Sequence, residues 1–96
     1  MKTWMRCSVG LGQFSAEYAV VVRSYNGQKF SLFVPKDLVR CEQSIAVNQS
    51  ADGWISVTLM REENGLLLVR LPRQTLENGR FLTVSASELA YTATTG

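Results

Sequence analysis

Two Asn-Gly pairs constrain the fold of this chain more than any other feature of its sequence. Asn26-Gly27 separates the strand-like runs 17–25 and 29–34, and Asn64-Gly65 follows the strand-like run 54–61. An Asn-Gly pair between runs of β-branched and aromatic residues is typical of a tight β-hairpin, because both turn residues tolerate a positive φ. The sequence therefore predicts two antiparallel hairpins.

Alternating apolar and polar residues indicate where the other strands lie. The clearest alternation places Ile55, Val57 and Leu59 on one face of the run 54–61. Further short strands are predicted at 2–9, 44–48, 66–71 and 80–85. No segment keeps a helical period over the roughly 11 residues that a helix assignment needs. We therefore expect one all-β domain over residues 1–96, either a small barrel of SH3-like or OB-like type or a compact sandwich of about six to eight short antiparallel strands.

The core is expected where alternation directs apolar side chains to one face of the sheet. Its predicted members are Val20, Val22, Leu32, Ile55, Val57, Leu59, Val69 and Val84. Cys7 shares the face of Met5 and Val9, which predicts a buried, reduced thiol. We also expect 49–53 to be a polar loop and 85–88 to begin a short terminal helix, since serine and glutamate three apart can form a capping box.

A weak internal sequence similarity links the two halves of the chain. The segments 26–38 and 78–89 each read as a turn, a strand, a stop, an acid and a leucine. Two explanations are open: a duplication, or the general fact that a barrel strand ends in a turn. The same order over roughly the last 40 residues resembles the way SH3-like barrels close, and this resemblance implies a barrel of that type.

Residues for the common kinds of catalytic and metal chemistry are missing or dispersed. The chain has no histidine, which is the commonest general base and zinc ligand. Cys41 lies between Arg40 and Glu42, whose charges have opposite effects on the pKa of a thiol. Gly10 and Gly12 lack the remaining residues of a phosphate-binding loop. We expect no catalytic residue, no cofactor, no metal and no enzymatic activity.

Charge and hydropathy limit the partners and the location that we expect. The formal net charge is +2 and basic residues do not cluster along the chain, so any binding of nucleic acid should be weak. The apolar runs 18–22 and 66–69 are far shorter than the ~20 residues of a membrane span. Arg6 interrupts the amino terminus before a signal-peptide hydrophobic region forms. Two cysteines are too few for a disulfide framework, and we expect a cytoplasmic protein without membrane contact.

The leading functional hypothesis is a small non-catalytic interaction module that binds a protein partner or a second copy of itself. Segments 18–25 and 66–71 carry apolar residues on both faces, more than a one-sided sheet requires. Weak binding of single-stranded nucleic acid is the second hypothesis, because stacking of bases needs aromatic residues near arginines. Its candidate residues are Arg23, Tyr25, Phe30, Phe33, Trp54, Arg61 and Arg70. The third hypothesis is an enzyme that uses carboxylates or a cysteine.

The predicted binding site consists of Trp54, Met60, Arg61 and Arg70. The alternation of the run 54–61 sends Trp54 and Met60 to the face opposite the core, and such residues often anchor interfaces. The second hairpin would bring residues near Arg70 opposite Trp54 and place a guanidinium beside the indole ring.

Overall fold

The chain folds almost entirely into β-structure. The structure is a computed structural model that describes residues 2–77 and 79–90. Its strands are β1 (Lys2–Leu11), β2 (Glu17–Arg23), β3 (Lys29–Pro35), β4 (Val39–Arg40), β5 (Ser50–Glu63), β6 (Leu66–Arg70), β7 (Phe81–Ser85) and β8 (Leu89–Ala90). Two 3₁₀ turns, Lys36–Leu38 and Ala86–Glu88, precede β4 and β8. The all-β expectation is confirmed.

All of these strands belong to one antiparallel sheet that curls strongly into an open half-barrel. The main path of the sheet is β3-β2-β1-β5-β6-β7, while β4 pairs with β5 and β8 pairs with β1. The two central strands, β1 and β5, pair from Lys2 opposite Thr58 to Gly10 opposite Ser50. Their side chains therefore lie near the middle of each face of the sheet.

The core lies on one face of the sheet, as the alternation predicts. Seven of the eight predicted core residues are buried, and Leu59 is partly buried and packs against them. Cys7 is also buried, with 7% of its surface exposed, and both cysteines are free thiols. Register explains the common face, because Val9 lies opposite Val20 and Val20 lies opposite Leu32. Directly opposed residues of antiparallel strands point to the same side.

Both predicted hairpins are present, and their turns differ. Asn64 and Gly65 both have positive φ, at 57° and 80°, as a two-residue turn of type I′ requires. In the first hairpin only Gly27 has a positive φ, at 87°, and its N–H donates to the Ser24 carbonyl at 2.9 Å. The Asn26 carboxamide instead accepts a hydrogen bond from the Ser24 hydroxyl. Asn26 thus stabilises the loop through its side chain.

Two local predictions are wrong. Residues 44–48 form no strand, and 50–53 belong to β5 instead of a loop, because Ser50 and Asp52 pair with Gly10 and Ser8 of β1. Pairing with a long neighbouring strand here overrides the weak strand preference of Asp and Gly. The terminal helix expected at 85–88 is a single 3₁₀ turn, and Ser85 forms no side-chain cap.

The order of the elements repeats along the chain. The units β1–β4 and β5–β8 each contain three antiparallel strands, a 3₁₀ turn and a two-residue strand. The short last strand of each unit pairs with the first strand of the other unit, since Arg40 lies opposite Trp54 and Ala90 lies opposite Trp4. The topology therefore has approximate two-fold symmetry, which favours a duplication as the explanation of the internal sequence similarity.

The structural repeat has an offset of 50 residues. Trp4 and Trp54 occupy equivalent positions by their pairing with β8 and β4. By the same offset, Val39 corresponds to Leu89. The internal sequence similarity had aligned Leu38 with Leu89, and the pairings of β4 and β8 correct that alignment by one position.

Two connections bridge the open side of the half-barrel. The Tyr25 N–H, in the first hairpin, donates to the Thr83 carbonyl of β7 at 2.8 Å. The Leu76 N–H, in the connection between β6 and β7, donates to the Ser31 carbonyl of β3 at 2.7 Å. The Ser31 N–H in turn donates to the Glu77 carboxylate at 2.7 Å. These hydrogen bonds cover part of the edges that β3 and β7 would otherwise expose.

Candidate functional site on the outer face of the sheet

The outer face of the two central strands carries both tryptophans of the chain. Trp4 and Arg6 alternate with the buried Met5 and Cys7 of β1, and Trp54 alternates with the core residues of β5. Both indole rings are therefore on the solvent side of the sheet, and both are half-buried. A half-buried tryptophan on a solvent-facing surface is a typical anchor for a binding partner.

Each tryptophan carries an arginine against its ring. The Arg6 guanidinium carbon lies 5.0 Å from the centre of the Trp54 ring, and that of Arg40 lies 4.3 Å from the centre of the Trp4 ring. These distances are within the range of cation–π attraction. We call Trp4, Arg6, Arg40 and Trp54 the Trp–Arg cluster. The arginines limit the rotamers of the rings, which lowers the entropy that binding would cost.

Four cations lie at one level across the outer face. Lys29 is directly opposite Arg23, and Arg40 is directly opposite Trp54, which is itself opposite Arg6. The register of β1 and β2 would place Arg23 opposite Arg6, but their pairing ends at Ser8 and Val21, so a gap opens there. We call Lys29, Arg23, Arg6 and Arg40 the cation row. The row crosses the strands, and Trp54 lies within it between Arg6 and Arg40.

The gap between Arg23 and Arg6 is the mouth of a groove with a volume of about 560 Å³. We call it the hairpin groove, because the hairpin of β2 and β3 forms one wall. Arg6, Arg23 and Lys29 line it together with two carboxylates, Asp52 and Glu88. Its other lining residues are Cys7, Ser8, Val21, Val22, Ser24, Tyr25, Gly27 and Ser85.

The charges that line the groove are not paired with each other. No ion pair forms between a carboxylate of residues 2–77 and 79–90 and Arg6, Arg23 or Lys29. Arg23 and Lys29 are like charges in directly opposed positions of a sheet, an arrangement that is unfavourable without an anion nearby. The groove therefore combines an excess of positive charge with the exposed ring of Tyr25 at its rim.

The structure separates the residues of the predicted site. Arg70 lies opposite Thr58 and not opposite Trp54, so the guanidinium beside the Trp54 ring belongs to Arg6. The prediction about Arg70 was wrong because counting from the turn places Arg70 opposite Leu59 and the bulge moves it only to Thr58, so β6 ends before it reaches Trp54. Met60 is the extra residue of a β-bulge between Leu59 and Arg61, and 46% of its surface is exposed.

Arg61 lies away from the Trp–Arg cluster. It lines a shallow depression of about 210 Å³ at the second hairpin, beside Leu66, Leu68 and Thr83. Its register partner on β6 is Leu68. Of the four residues of the predicted site, only Trp54 belongs to the Trp–Arg cluster and lies within the cation row.

Three residues of this surface were missed in the sequence, and two of them, Trp4 and Arg6, had a signal. Trp4 and Arg6 lie on the same polar side of β1 as Trp54 does on β5, and the two tryptophans are 50 residues apart. Comparison of the chain with itself at that spacing also aligns Leu32 with Leu82 and Val34 with Val84. Arg40 had no such signal, because its place depends on a two-residue strand.

The aromatic residues proposed for stacking on bases do not form one platform. Phe30 packs against the core, whereas 59% of the surface of Tyr25 is exposed beside the hairpin groove. Arg23 lines the same groove. The stacking hypothesis therefore retains Tyr25, Arg23 and Trp54, which all lie along the cation row or at the groove rim.

The buried thiol of Cys7 is not a reactive group. Burial, reinforced by the neighbouring Cys41 thiol and the Asp52 carboxylate, raises the pKa of Cys7 from 9.0 to about 12. Such a thiol is neutral at physiological pH and is a poor nucleophile. Gly53 is opposite Cys7 in register, and a Cβ at Gly53 would lie 3.5 Å from Cβ of Cys41. Among the described residues, no group of three or more His, Cys, Asp or Glu side chains is arranged to hold a metal ion.

Comparison with known proteins gives no relative: no family model, no curated protein and no solved structure matches the chain. In the part of the chain that the structure describes, no helix is long and apolar enough to cross a membrane.

Proposed function

We infer that this protein is a small, non-catalytic interaction module, and that it binds a protein partner through the outer face of β1 and β5. The observation that supports this most is the Trp–Arg cluster, in which both tryptophans of the chain lie on one solvent-facing surface with an arginine against each ring. Tryptophan and arginine are the residue types that most often dominate the energy of protein interfaces. A cytoplasmic location, with both thiols free, is part of this proposal.

The surroundings of the cluster suit a protein more than a uniform polyanion. Asp52 and Glu88 line the hairpin groove next to the cations, and their carboxylates would repel the phosphates of a nucleic acid. A protein surface can present acids to Arg6 and Arg23 and hydrogen-bond donors to Asp52 and Glu88. Binding of single-stranded nucleic acid is thus the second candidate, favoured by the aromatic and arginine side chains of the row.

A second copy of this chain is an alternative partner. Apolar residues extend onto the outer face of β6, where Leu66 and Leu68 are half-buried, and Phe81 of β7 has 56% of its surface exposed. Such a face can be covered by an identical copy in a two-fold dimer. Sedimentation velocity at high micromolar concentration measures this directly, since a monomer at that concentration would exclude self-association.

An enzyme based on carboxylates is the weakest of the candidates. Asp52 and Glu88 do share the hairpin groove. A general acid at neutral pH, however, needs an apolar environment that raises the pKa of one carboxyl group. The groove instead surrounds these carboxylates with arginines, a lysine and serine hydroxyls.

The test compares three forms of the protein as bait in a quantitative enrichment from cell extract: the native chain, Trp54→Ala and Phe14→Ala. Phe14 is the matched control, an aromatic residue with 70% of its surface exposed in the connection between β1 and β2. The proposal expects a partner that the native chain and Phe14→Ala retain equally and that Trp54→Ala loses, with binding reproduced by the purified partner. Equal retention by all three forms would contradict the proposed surface. Nuclease-sensitive retention would favour the nucleic-acid candidate.

A further inference from the structure

The cation row concentrates positive charge at one level of the outer face. Lys29 and Arg23 lie side by side without a carboxylate partner among the described residues. Arg6 faces them across the hairpin groove, and Arg40 continues the row beyond Trp54. Neighbouring strands of a sheet are about 4.8 Å apart, so the row spans roughly 20 Å. Isolated surface cations are common, but four at one level of one face create a continuous positive potential.

We propose that an extended acidic segment of the protein partner lies across the strands along the cation row, with one carboxylate in the hairpin groove between Arg6 and Arg23. This inference rests on the proposed function and names the chemistry of the partner. An extended chain rises about 3.3 Å per residue, so roughly six residues would cover the row. Alternate side chains face the sheet, so about three of the six reach the row: two carboxylates can each lie between neighbouring cations, and one apolar side chain can lie against Trp54.

The charge pattern favours a peptide over a nucleic acid. Phosphodiesters carry a negative charge at every nucleotide, and some of these charges would lie against Asp52 or Glu88 in the groove. A peptide carries acids only at chosen positions and supplies backbone N–H donors for those two carboxylates. Tyr25, exposed at the rim, is available to donate its hydroxyl to the segment.

The repeat provides an internal comparison. By the offset of 50 residues, Ser56 is equivalent to Arg6, Gly79 to Lys29 and Ala90 to Arg40, whereas Arg73 is equivalent to Arg23. The second unit thus keeps one of the four cations, and the pairing of β6 with β7 ends at Arg70 and Phe81, before it reaches that level. The row of four cations is therefore a feature of the first unit alone.

The experiment measures fluorescence anisotropy of a labelled eight-residue peptide that alternates glutamate and serine. The comparison probes are the same peptide with lysine in place of glutamate and an oligodeoxythymidylate of equal charge. The test variant is Arg23→Glu/Lys29→Glu. The matched control, Lys2→Glu/Arg70→Glu, changes the net charge equally at exposed positions of the same face that lie outside the row.

The proposal expects saturable binding of the acidic peptide that weakens with salt, a loss of about tenfold or more in Arg23→Glu/Lys29→Glu, and a change below about twofold in the control. An equal loss in both variants, no saturable binding, or tighter binding of the oligonucleotide would overturn it. The result is separable from the proposed function. If a partner depends on Trp54 but the acidic peptide does not bind, the inference fails and the interaction surface stands.

Discussion

Trp4 and Trp54 lie at equivalent positions of two units that exchange their last strands. Trp54 is opposite Arg40 from the end of the first unit, and Trp4 is opposite Ala90 from the end of the second. The exchange brings an arginine to the cluster from only one of the two short strands. It therefore combines an approximately symmetric backbone with an asymmetric surface, which is the basis of the proposed function.

Gly53 controls the place of β4, and its replacement should be costly. A Cβ at this position would lie 2.7 Å from the Arg40 carbonyl oxygen and 2.7 Å from Cγ2 of Val9. Gly53→Ala should therefore lower the free energy of unfolding by about 1–3 kcal/mol, because β4 or the core must move. Denaturant unfolding measures this.

Gly10→Ala is the control for that substitution. Its Cβ would meet backbone oxygens at 3.6 and 3.7 Å, which are ordinary contacts. We expect a change within about 0.5 kcal/mol. If both alanines had the same effect, the close approach of β4 to β5 at Gly53 would not be the cause.

Cys7 should behave as a buried, neutral thiol. Cys7→Ser places a hydroxyl in an apolar site and should destabilise the protein by about 1–3 kcal/mol, whereas Cys41→Ser, at a half-buried site, should cost less. A thiol reagent should label Cys41 before Cys7 in the native state. Rapid labelling of Cys7 would contradict its burial.

The raised pKa of Cys7 also sets a pH window. The thiol titrates near 9.0 when unfolded and at about 12 when folded. The folded state therefore retains a proton that the unfolded state has lost, and the contribution of this thiol to stability is complete below pH 9 and declines as the pH rises from 9 toward 12. The decline should be absent in Cys7→Ala when the unfolding of both forms is compared over this range.

Glu77 should show the opposite dependence on pH. The hydrogen bond from the Ser31 N–H lowers the pKa of this carboxyl group below its ordinary value of 4.5. The contribution of the ionised carboxylate is therefore present above pH 4.5 and is lost as the pH falls through the lowered pKa. The Ser31 amide resonance should follow this titration with a midpoint below 4.5, and Glu77→Gln should remove it. A midpoint at or above 4.5 would contradict the hydrogen bond.

The pairing of Arg6 with Trp54 is measurable by a double-mutant cycle. Single and double alanine variants should give a coupling energy of about 0.5–1 kcal/mol, because the guanidinium lies over the ring. The same cycle with Arg70 and Trp54 should give a coupling near zero, since Arg70 is opposite Thr58. Coupling to Arg70 and none to Arg6 would contradict the register described here.

The fold was largely predictable, because alternation and turn chemistry act locally. The face of Ile55 and Val57, the burial of Cys7 and both hairpins follow from spacing and from residues that tolerate a positive φ. The strand at 50–53 was missed because its pairing partner, β1, is distant in the sequence.

The candidate site was less predictable, since it is assembled from three separate strands. Trp54 was found because its alternation is local. Arg6 and Arg40 reach the cluster only through pairings with β5 that hairpin chemistry does not specify. Arg70 lies opposite Thr58 at the end of β6, so this strand does not reach Trp54.

The most direct test of the proposed surface uses the two indole N–H resonances, because the chain has only two tryptophans. Trp4→Phe and Trp54→Phe assign the two signals in a ¹⁵N-labelled sample, to which the partner found by enrichment is then added. We expect the Trp54 signal to shift or broaden in a saturable way, and the Trp4 signal to change as well. If both indole signals stay unchanged while resonances elsewhere in the protein respond to the bound partner, the outer face of β1 and β5 is not the contact surface.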